Sequence, residues 1–250
     1  MIGFWLAVWT LWQRELIRFW RQKSRLLGVI ASPLVFWLIL GFGAGENAPG
    51  FFFPGTVVLT VMFSAVFSTI SIIEDRREGF LLSMLVSPAS RASLVLGKIL
   101  GAASLAWIQG MILLVFAPLA GIRIGIEQIV PLATTVFLIS FTLTALGFVI
   151  AWKFDSTQGY HAVMNLLLLP MWLVSGAVFS VAGATGWMRA IMMANPLTYS
   201  LGLLRQQLTP ALSAGSPAAT MSLAVTAGFG VLLLAASAWM AAQKSSRNAG

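Results

Sequence analysis

The chain has 250 residues, of which 59% are hydrophobic and only 9% are charged, and its formal net charge is +8. A soluble domain carries about 25% charged residues, so this composition excludes a water-soluble protein. The net positive charge does not indicate nucleic-acid binding, because the cations lie in short segments between apolar runs. Without cysteine, the chain can form no disulfide, thiolate metal site or cysteine nucleophile.

The first 25 residues combine a basic stripe with many aromatic residues. Thr10, Arg14, Arg18, Arg21 and Arg25 recur at helical spacing, while Trp, Phe and Leu fill the rest of the helical wheel. This pattern is typical of a helix that lies in the membrane interface. The alternative is an additional transmembrane span, which the cations disfavour.

No cationic stretch precedes the N-terminal apolar run and no cleavage site follows it, so we expect no secretory signal.

Six further segments have about the 20 apolar residues that a transmembrane helix needs. They predict an all-α polytopic membrane protein with six transmembrane helices. The predicted spans are Leu26–Ala44, Phe51–Ile73, Leu94–Ala120, Val130–Trp152, His161–Val181 and Ala219–Ala242.

The cations are distributed unequally between the two sides of these spans. Of the 15 Lys and Arg residues, 12 lie before the first span, around the segment joining the second and third, or after the fourth and sixth. Only Arg123, Arg189 and Arg205 fall on the other side. Because Lys and Arg accumulate in cytoplasmic segments, both termini are predicted to be cytoplasmic, which requires an even number of spans.

The segment between the second and third spans is the most charged in the chain. After it, Ser87 suits a helix N-cap and Pro88 the first helical position. A helix from Pro88 to about Leu119 would be ~48 Å long, so its first turns should project from the membrane, with Lys98 snorkelling to the boundary. The charged residues are Glu74, Asp75, Arg76, Arg77 and Glu78, and Gly79 follows them.

The segment between the fifth and sixth spans, residues 182–218, is too apolar for a solvated loop. Asn195 is suited to cap a helix that starts at Pro196 and ends near Leu208, before Thr209 and Pro210. We therefore predict two short helices that dip into or lie on the outer leaflet.

Several functional motifs are missing from the sequence. No P-loop is present, so the chain is not expected to hydrolyse ATP itself. His161 is the only histidine, which makes a metal site implausible and a structural hydrogen bond the better interpretation. Ser175 would lie about 21 Å from His161 on the same helix, too far for a serine hydrolase. The acids lie in loops or at span ends, so no ion path is evident.

Two pairs of glycines, Gly41/Gly45 and Gly97/Gly101, have the spacing that permits close approach of two helices. Such contacts can form inside one subunit or between two subunits. The sequence alone leaves both open.

Taken in order, these motifs resemble the transmembrane permease subunit of type-2 ABC exporters over nearly the whole chain. The connecting helix of that family is matched by residues 1–25, with Arg14, Glu15, Arg18 and Arg21. Its coupling segment is matched by residues 74–93, with Glu74 to Gly79 and Ser87-Pro88, and by Gly97-Lys98 that follows them. Its fifth span and outer re-entrant helices (residues 182–210) are matched by Leu169 to Trp172, Ser175-Gly176, Trp187, Asn195, Pro196, Leu197, Thr198, Tyr199 and Arg205.

The resemblance implies a single ABC-transporter transmembrane domain, residues 1–250, with six spans within residues 26–242. It implies a second permease subunit, giving a homodimer, and a separate ABC ATPase subunit that binds ATP and Mg. The pathway would lie between the two permeases, lined by the first, second and fifth spans. The chain itself would hold no cofactor or metal and bind no nucleic acid. It would lie in the inner (cytoplasmic) membrane among lipids.

Three other interpretations remain open at this level. The charged segment Glu74–Gly79 is either the ATPase-coupling surface or a solvated loop that sets topology. The abundant Phe and Trp suit an amphipathic, drug-like, lipid or glycan cargo, but aromatic belts use the same residues. Finally, there are two alternatives to an exporter, an ion-coupled transporter and an assembly scaffold. An ion-coupled transporter predicts inverted repeats or a mid-membrane carboxylate.

Overall fold

The computed structural model of the protein describes residues 2–21, 23–46, 48–80 and 89–243. Within these ranges the chain forms helices and no strands, so the all-α prediction is confirmed. The α-helices are α1 (Ile2–Trp20), α2 (Lys23–Gly43), α3 (Ala48–Arg77), α4 (Arg91–Leu114), α5 (Ile126–Ala151), α6 (Thr157–Trp172), α7 (Gly186–Ala194), α8 (Pro196–Leu208) and α9 (Ala219–Gln243).

Five described helices are long and apolar enough to cross a membrane: α3, α4, α5, α9, and α6 with the π-helical segment that extends it to Ala177. These overlap the second to sixth predicted spans. The first predicted span corresponds to α2, whose apolar part is the shorter stretch Gly28–Gly43. The total of six spans therefore stays a prediction.

Helix α3 is the centre of the bundle. Nearly all of its residues from Phe53 to Ile73 are buried, and it packs against α2, α4, α5 and α6. The neighbouring helices run along it and bury its mostly apolar side chains by close packing. By contrast, α9 lies at the edge and packs mainly against α5 and α8.

At one end of the bundle α3 ends at Arg77, α4 begins at Arg91, α5 ends at Ala151 and α9 ends at Gln243. Arg91 bonds to the Ala242 carbonyl here, at 2.7 Å. We call this the basic end.

The start of α4 corrects one prediction. The N-cap is Ser90, whose hydroxyl accepts a hydrogen bond from the Ser93 N–H at 3.2 Å, and the helix begins at Arg91. Ser87 and Pro88 lie outside the described residues, and the predicted start at Pro88 is wrong. Because α4 ends at Leu114, it is about 36 Å long, close to the thickness of a bilayer.

The region after α6 follows the predicted pattern more closely. Asn195 caps α8 by accepting a hydrogen bond from the Leu197 N–H at 3.0 Å, Pro196 takes the first helical position, and the helix ends at Leu208. Before it, α6 passes into the π-helical segment Leu173–Ala177, where Gly176 has φ +97°. A glycine is needed there because side chains disfavour this backbone conformation.

Helices α3, α4 and α5 approach closely at Gly110. A Cβ at this position would lie 2.7 Å from Val61 Cγ2 and 2.8 Å from Val136 Cγ1. Gly228 in α9, by contrast, has nothing within 4 Å of its Cβ position.

We expect Gly110→Ala to lower the thermal denaturation midpoint of the detergent-purified protein. Overpacking costs about 1–3 kcal/mol, which exceeds the about 1 kcal/mol that alanine gains over glycine in a helix. Gly228→Ala is the matched control and should leave the midpoint unchanged or raise it. Equal effects of the two substitutions would contradict the close three-helix contact.

Candidate functional site: a buried ion-pair cluster

Three helices meet at the basic end around a group of charged side chains. Glu15 comes from α1, Asp75 from the last turn of α3, and Lys98 from α4. All three are buried, with Asp75 fully inaccessible. The Lys98 ammonium donates to Glu15 Oε1 at 2.8 Å and also to Asp75 Oδ2. Lys98 does not snorkel to a membrane boundary, and that prediction is wrong.

Two arginines of α1 complete the group, which we call the ion-pair cluster. Arg14 donates to both oxygens of Asp75, at 3.1 and 2.9 Å. Arg18 bridges two acids, donating to Asp75 Oδ1 at 2.8 Å and to Glu74 Oε2 at 2.6 Å. The cluster thus pairs three cations (Arg14, Arg18, Lys98) with three acids (Glu15, Glu74, Asp75) and is neutral.

The spacing of α1 residues explains why one helix supplies both arginines. Arg14 and Arg18 are four residues apart and so lie on the same face. Burial alone would lower the pKa of Arg14, but the hydrogen bond and the charge of Asp75 outweigh it and raise the pKa above its ordinary value. The guanidinium also lies over the Phe80 ring, 3.8 Å from its centre. Arg14 therefore stays charged throughout the physiological pH range.

The two glycines of α4 let α1 come close enough for these bonds. A Cβ at Gly101 would lie 2.7 Å from Glu15 Cβ, and one at Gly97 would lie 2.9 Å from the Val8 carbonyl oxygen. The Gly97/Gly101 pair thus serves packing within one subunit. Without it, Glu15 could not reach Lys98.

The remaining residues of the charged segment behave differently from one another. Arg76 donates to the Trp152 and Phe154 carbonyls at 2.7 and 3.0 Å and to Asp155 Oδ1 at 2.7 Å. Arg77 donates to the Asp155 carbonyl at 3.0 Å. These two arginines hold the connection between α5 and α6. Glu78 is 62% exposed.

Gly79 follows α3 with φ +75°, a left-handed conformation that commonly ends a helix. Residues 81–88 of the predicted coupling segment lie outside the described residues. Within the segment, Asp75 and Arg76 thus bond inside the chain, and Glu78 is the acid available at the surface.

A groove lies beside the ion-pair cluster, on the polar face of α1. Its volume is about 640 Å³. We call it the basic groove because it presents three arginines and a single acid. Its lining residues are Thr10, Gln13, Arg14, Ile17, Arg18, Arg21 and Glu78.

The predicted outer motif lies at the opposite end of the bundle, and its residues also bond within the chain. Asn195 donates to the Met171 carbonyl at 2.6 Å, and the Tyr199 hydroxyl donates to the Met193 carbonyl at 2.9 Å. Arg205 is buried and donates to the carbonyls of Gly176 and Phe51, at 2.9 and 3.3 Å. These bonds connect α8 to the π-helical segment that follows α6 and to the start of α3.

A second groove, of about 570 Å³, runs between α2, α3 and α6. We call it the interhelical groove. Two polar side chains of α6, His161 and Asn165, share it with aromatic side chains of α3, and the His161 ring lies 5.3 Å from that of Phe67. Sequence reasoning singled out His161 alone. The four-residue spacing of His161 and Asn165 in an apolar helix was the available signal. The other lining residues are Gly28, Val29, Ser32, Phe63, Val66 and Leu169.

Among the described residues, no three His, Cys, Asp or Glu side chains gather closely enough to hold a metal ion. At the basic end, the ion-pair cluster joins α1, α3 and α4 through buried charges.

Comparison with known proteins identifies the family of the chain. Residues 6–209 match the sequence model of the ABC-2 type transporter family. The protein belongs to this family. It is a multi-pass membrane protein of the transport permease class, and the family normally works with an ABC ATPase partner.

Two protein names occur among the similar relatives. "Putative transport permease ycf38" of Cyanophora paradoxa is 28% identical over 211 residues, which cover 79% of this chain and 72% of the relative. "Nodulation protein J" of Sinorhizobium fredii (strain NBRC 101917 / NGR234) is 27% identical over 213 residues, covering 80% of this chain and 79% of the relative. The protein of the same name from Rhizobium leguminosarum bv. trifolii is 28% identical over 213 residues, with the same coverage.

We expect Lys98→Met to destabilise the protein strongly. The substitution removes the close partner of the buried Glu15 carboxylate and leaves it only the 3.6 Å contact with Arg14. Breaking a buried ion pair costs about 3–5 kcal/mol. Adding Glu15→Gln removes the poorly compensated charge, so the double variant should recover part of the loss. The measurement is thermal denaturation in detergent, together with the yield of folded protein.

Lys153→Met is the control, because Lys153 is an exposed cation near the same end of the bundle. A Lys98→Met variant as stable as this control would contradict the structural role of the ion-pair cluster.

Proposed function

We propose that this chain is the permease subunit of an ATP-driven ABC exporter. A second copy of the permease completes the pathway, and a separate ATPase subunit supplies the energy. The observation that carries the proposal is the ion-pair cluster, which joins α1 to the ends of the membrane helices α3 and α4. Membership of the ABC-2 family supports the same conclusion.

The cluster is suited to transmit a movement. Charges that are buried and mutually paired resist separation, because each would be left desolvated and alone. A displacement of α1 or of the residues after Asp75 therefore moves these elements together. Since α3 packs against α2, α4, α5 and α6, a shift of its end reaches most of the bundle.

The ATPase subunit would dock at the basic groove. Arg21 and Glu78 are exposed there, so charge complementarity can select the partner and make the contact sensitive to salt. Asp75 and Arg76 would support this surface from inside rather than touch the partner. Within the coupling segment, residues 74–93, Asp75 and Arg76 would thus hold the helices together, and Glu78 would face the ATPase subunit.

In this proposal the basic end is cytoplasmic, the protein lies in the inner membrane, and both termini are cytoplasmic. ATP and Mg bind to the partner ATPase, since the chain contains no P-loop. Helices α7 and α8 are the outer re-entrant helices. Arg205 would hold them against the break in α6 through the Gly176 carbonyl.

The pathway would be formed by two interhelical grooves facing each other across a homodimer. Large apolar side chains of α2 and α6, including Ile39 and Leu166, are exposed in the single chain. Such a surface calls for lipid or a second subunit to cover it. The groove combines His161 and Asn165 with aromatic rings, which suits an amphipathic, drug-like, lipid or glycan cargo.

In this proposal Glu78, the single acid of the basic groove, pairs with a cation of the ATPase subunit. Glu78→Arg should therefore weaken association roughly tenfold, a loss of about 1.4 kcal/mol, and alter its salt dependence. The measurement is co-purification of the co-expressed subunits over a salt series. Glu127→Arg is the matched control, because Glu127 is an exposed acid at the opposite end. Undiminished association in Glu78→Arg would overturn the docking surface. Failure of the native chain to associate with any co-expressed ABC ATPase would overturn the proposed function.

Asn165→Trp should reduce cargo-stimulated ATP hydrolysis of the assembled complex in nanodiscs without weakening ATPase association. The indole would fill part of the interhelical groove. Val231→Trp in α9 is the control, since Val231 is 64% exposed and is not among the residues lining the groove. If both variants keep native stimulation with each cargo that stimulates the native complex, the groove is not the pathway.

A further inference from the structure

One face of α3 is polar along its buried length. Ser64, Ser68, Ser71 and Asp75 are four, three and four residues apart, so they follow one side of the helix. All four are buried. The line leads from the ion-pair cluster into the membrane-spanning part of the bundle.

Two of these serines differ from the other hydroxyl groups of α3. The hydroxyls of Thr56, Thr60 and Thr69 each donate to the carbonyl four residues earlier in the helix. Those of Ser64 and Ser68 bond to no described protein atom, although both side chains are buried. A buried polar group without a partner costs about 1–3 kcal/mol, and such groups in folded proteins commonly bond to ordered water.

The side-chain amide of Gln109 on α4 is likewise buried without a hydrogen-bond partner in the described part of the chain. It is 1% exposed, and neither its Nε2 nor its Oε1 has a hydrogen-bond partner among the described protein atoms. The contact between Asp75 and Lys98 fixes the level of Gln109 along the bundle axis. Gln109 lies eleven residues after Lys98, and Ser64 lies eleven residues before Asp75 on the antiparallel helix. Both distances are about three turns, so Gln109 and Ser64 lie at the same level.

A small cavity opens onto this face near the ion-pair cluster. It has about 10 Å³ of free space, about enough for one water molecule. Glu74 and Arg18 form its side toward the basic end, and Ser68 forms part of its inner wall. The complete lining is Glu15, Arg18, Phe19, Ser68, Ser71, Glu74 and Leu105.

We propose that ordered water molecules occupy the polar face of α3 from this cavity to the amide of Gln109. Water fits the site because it can both donate to Gln109 Oε1 and accept from its amide and from the serine hydroxyls. A cation is disfavoured because the two acids of the lining, Glu15 and Glu74, are already paired with Lys98 and Arg18. The volume disfavours a larger ligand. The inference does not depend on the proposed export function.

A hydrated contact has a mechanical consequence. Water bridges can exchange between neighbouring hydroxyls as two helices shift, at little cost in hydrogen bonds. An apolar contact of interlocking side chains lacks this freedom. The contact between α3 and α4 would therefore allow small relative movements at the level of Ser64 and Gln109, away from the ion-pair cluster.

The test is solid-state NMR of the full chain in lipid bilayers, measuring magnetisation transfer from water to side-chain N–H groups. The Gln109 amide, assigned by its loss in Gln109→Leu, should receive transfer. The indole N–H of Trp37, which is fully buried and bonded to the Pro49 carbonyl at 2.9 Å, should receive none. In Ser64→Ala/Ser68→Ala the transfer to Gln109 should be lost while the Trp37 resonance stays in place.

Absence of transfer at Gln109 in the native chain, with transfer at the exposed Gln13, would overturn the proposal. Thermal denaturation supplies a second readout. Removing both hydroxyls should lower the midpoint if they bind water. A midpoint that is unchanged or raised would mean that dry, unpaired hydroxyls had been removed. Ser237→Ala is the control, because the Ser237 hydroxyl bonds to the Leu233 carbonyl at 2.8 Å.

Discussion

The carboxylate of Asp75 accepts hydrogen bonds from Arg14, Arg18 and Lys98, which come from two other helices. Removing a carboxylate from water is costly, and the cost is recovered only when oppositely charged donors surround it in good geometry. This requirement fixes where α1 lies, because its arginines must reach the carboxylate of Asp75. It also fixes the end of α3 against α4. The position of the basic groove follows, because the arginines that bind Asp75 also form its wall.

The ends of the bundle are organised on different principles. At the basic end, three acids neutralise three cations in a closed group. At the opposite end, Arg205 bonds to the main-chain carbonyls of Gly176 and Phe51. The carbonyls at the C-terminal end of a helix carry partial negative charge, so the Gly176 carbonyl at the end of α6 can receive a buried cation. The Phe51 carbonyl near the start of α3 accepts the second bond. Helix α3 takes part in both arrangements, through Phe51 near its start and Asp75 near its finish. It is the one described helix that is tied at each end by a buried cation.

Much of the fold could be predicted from sequence because it depends on local chemistry. Apolar length locates the spanning helices, and the side chain of Asn195 before a proline locates the start of α8. The start of α4 was misplaced because Ser87 and Ser90 both suit an N-cap, and the following proline favoured the wrong one. The ion-pair cluster was missed for a different reason. All of its charges are visible in the sequence, but Glu15, Asp75 and Lys98 are far apart along the chain. No local pattern indicates which acid pairs with which cation. Lys98 in an apolar helix was the strongest hint, since an intramembrane cation requires a partner.

The glycines that admit α1 have a consequence for biogenesis. Glu15 is made 83 residues before its partner Lys98, an interval of roughly 4 to 17 s at ordinary rates of synthesis. During that time the surface formed by Gly97 and Gly101 does not yet exist, and the acid of α1 has no ammonium to pair with. Helix α1 therefore cannot complete its contacts until α4 has been synthesised. Correct placement of α3 and α4 is then a precondition for α1 to dock against them.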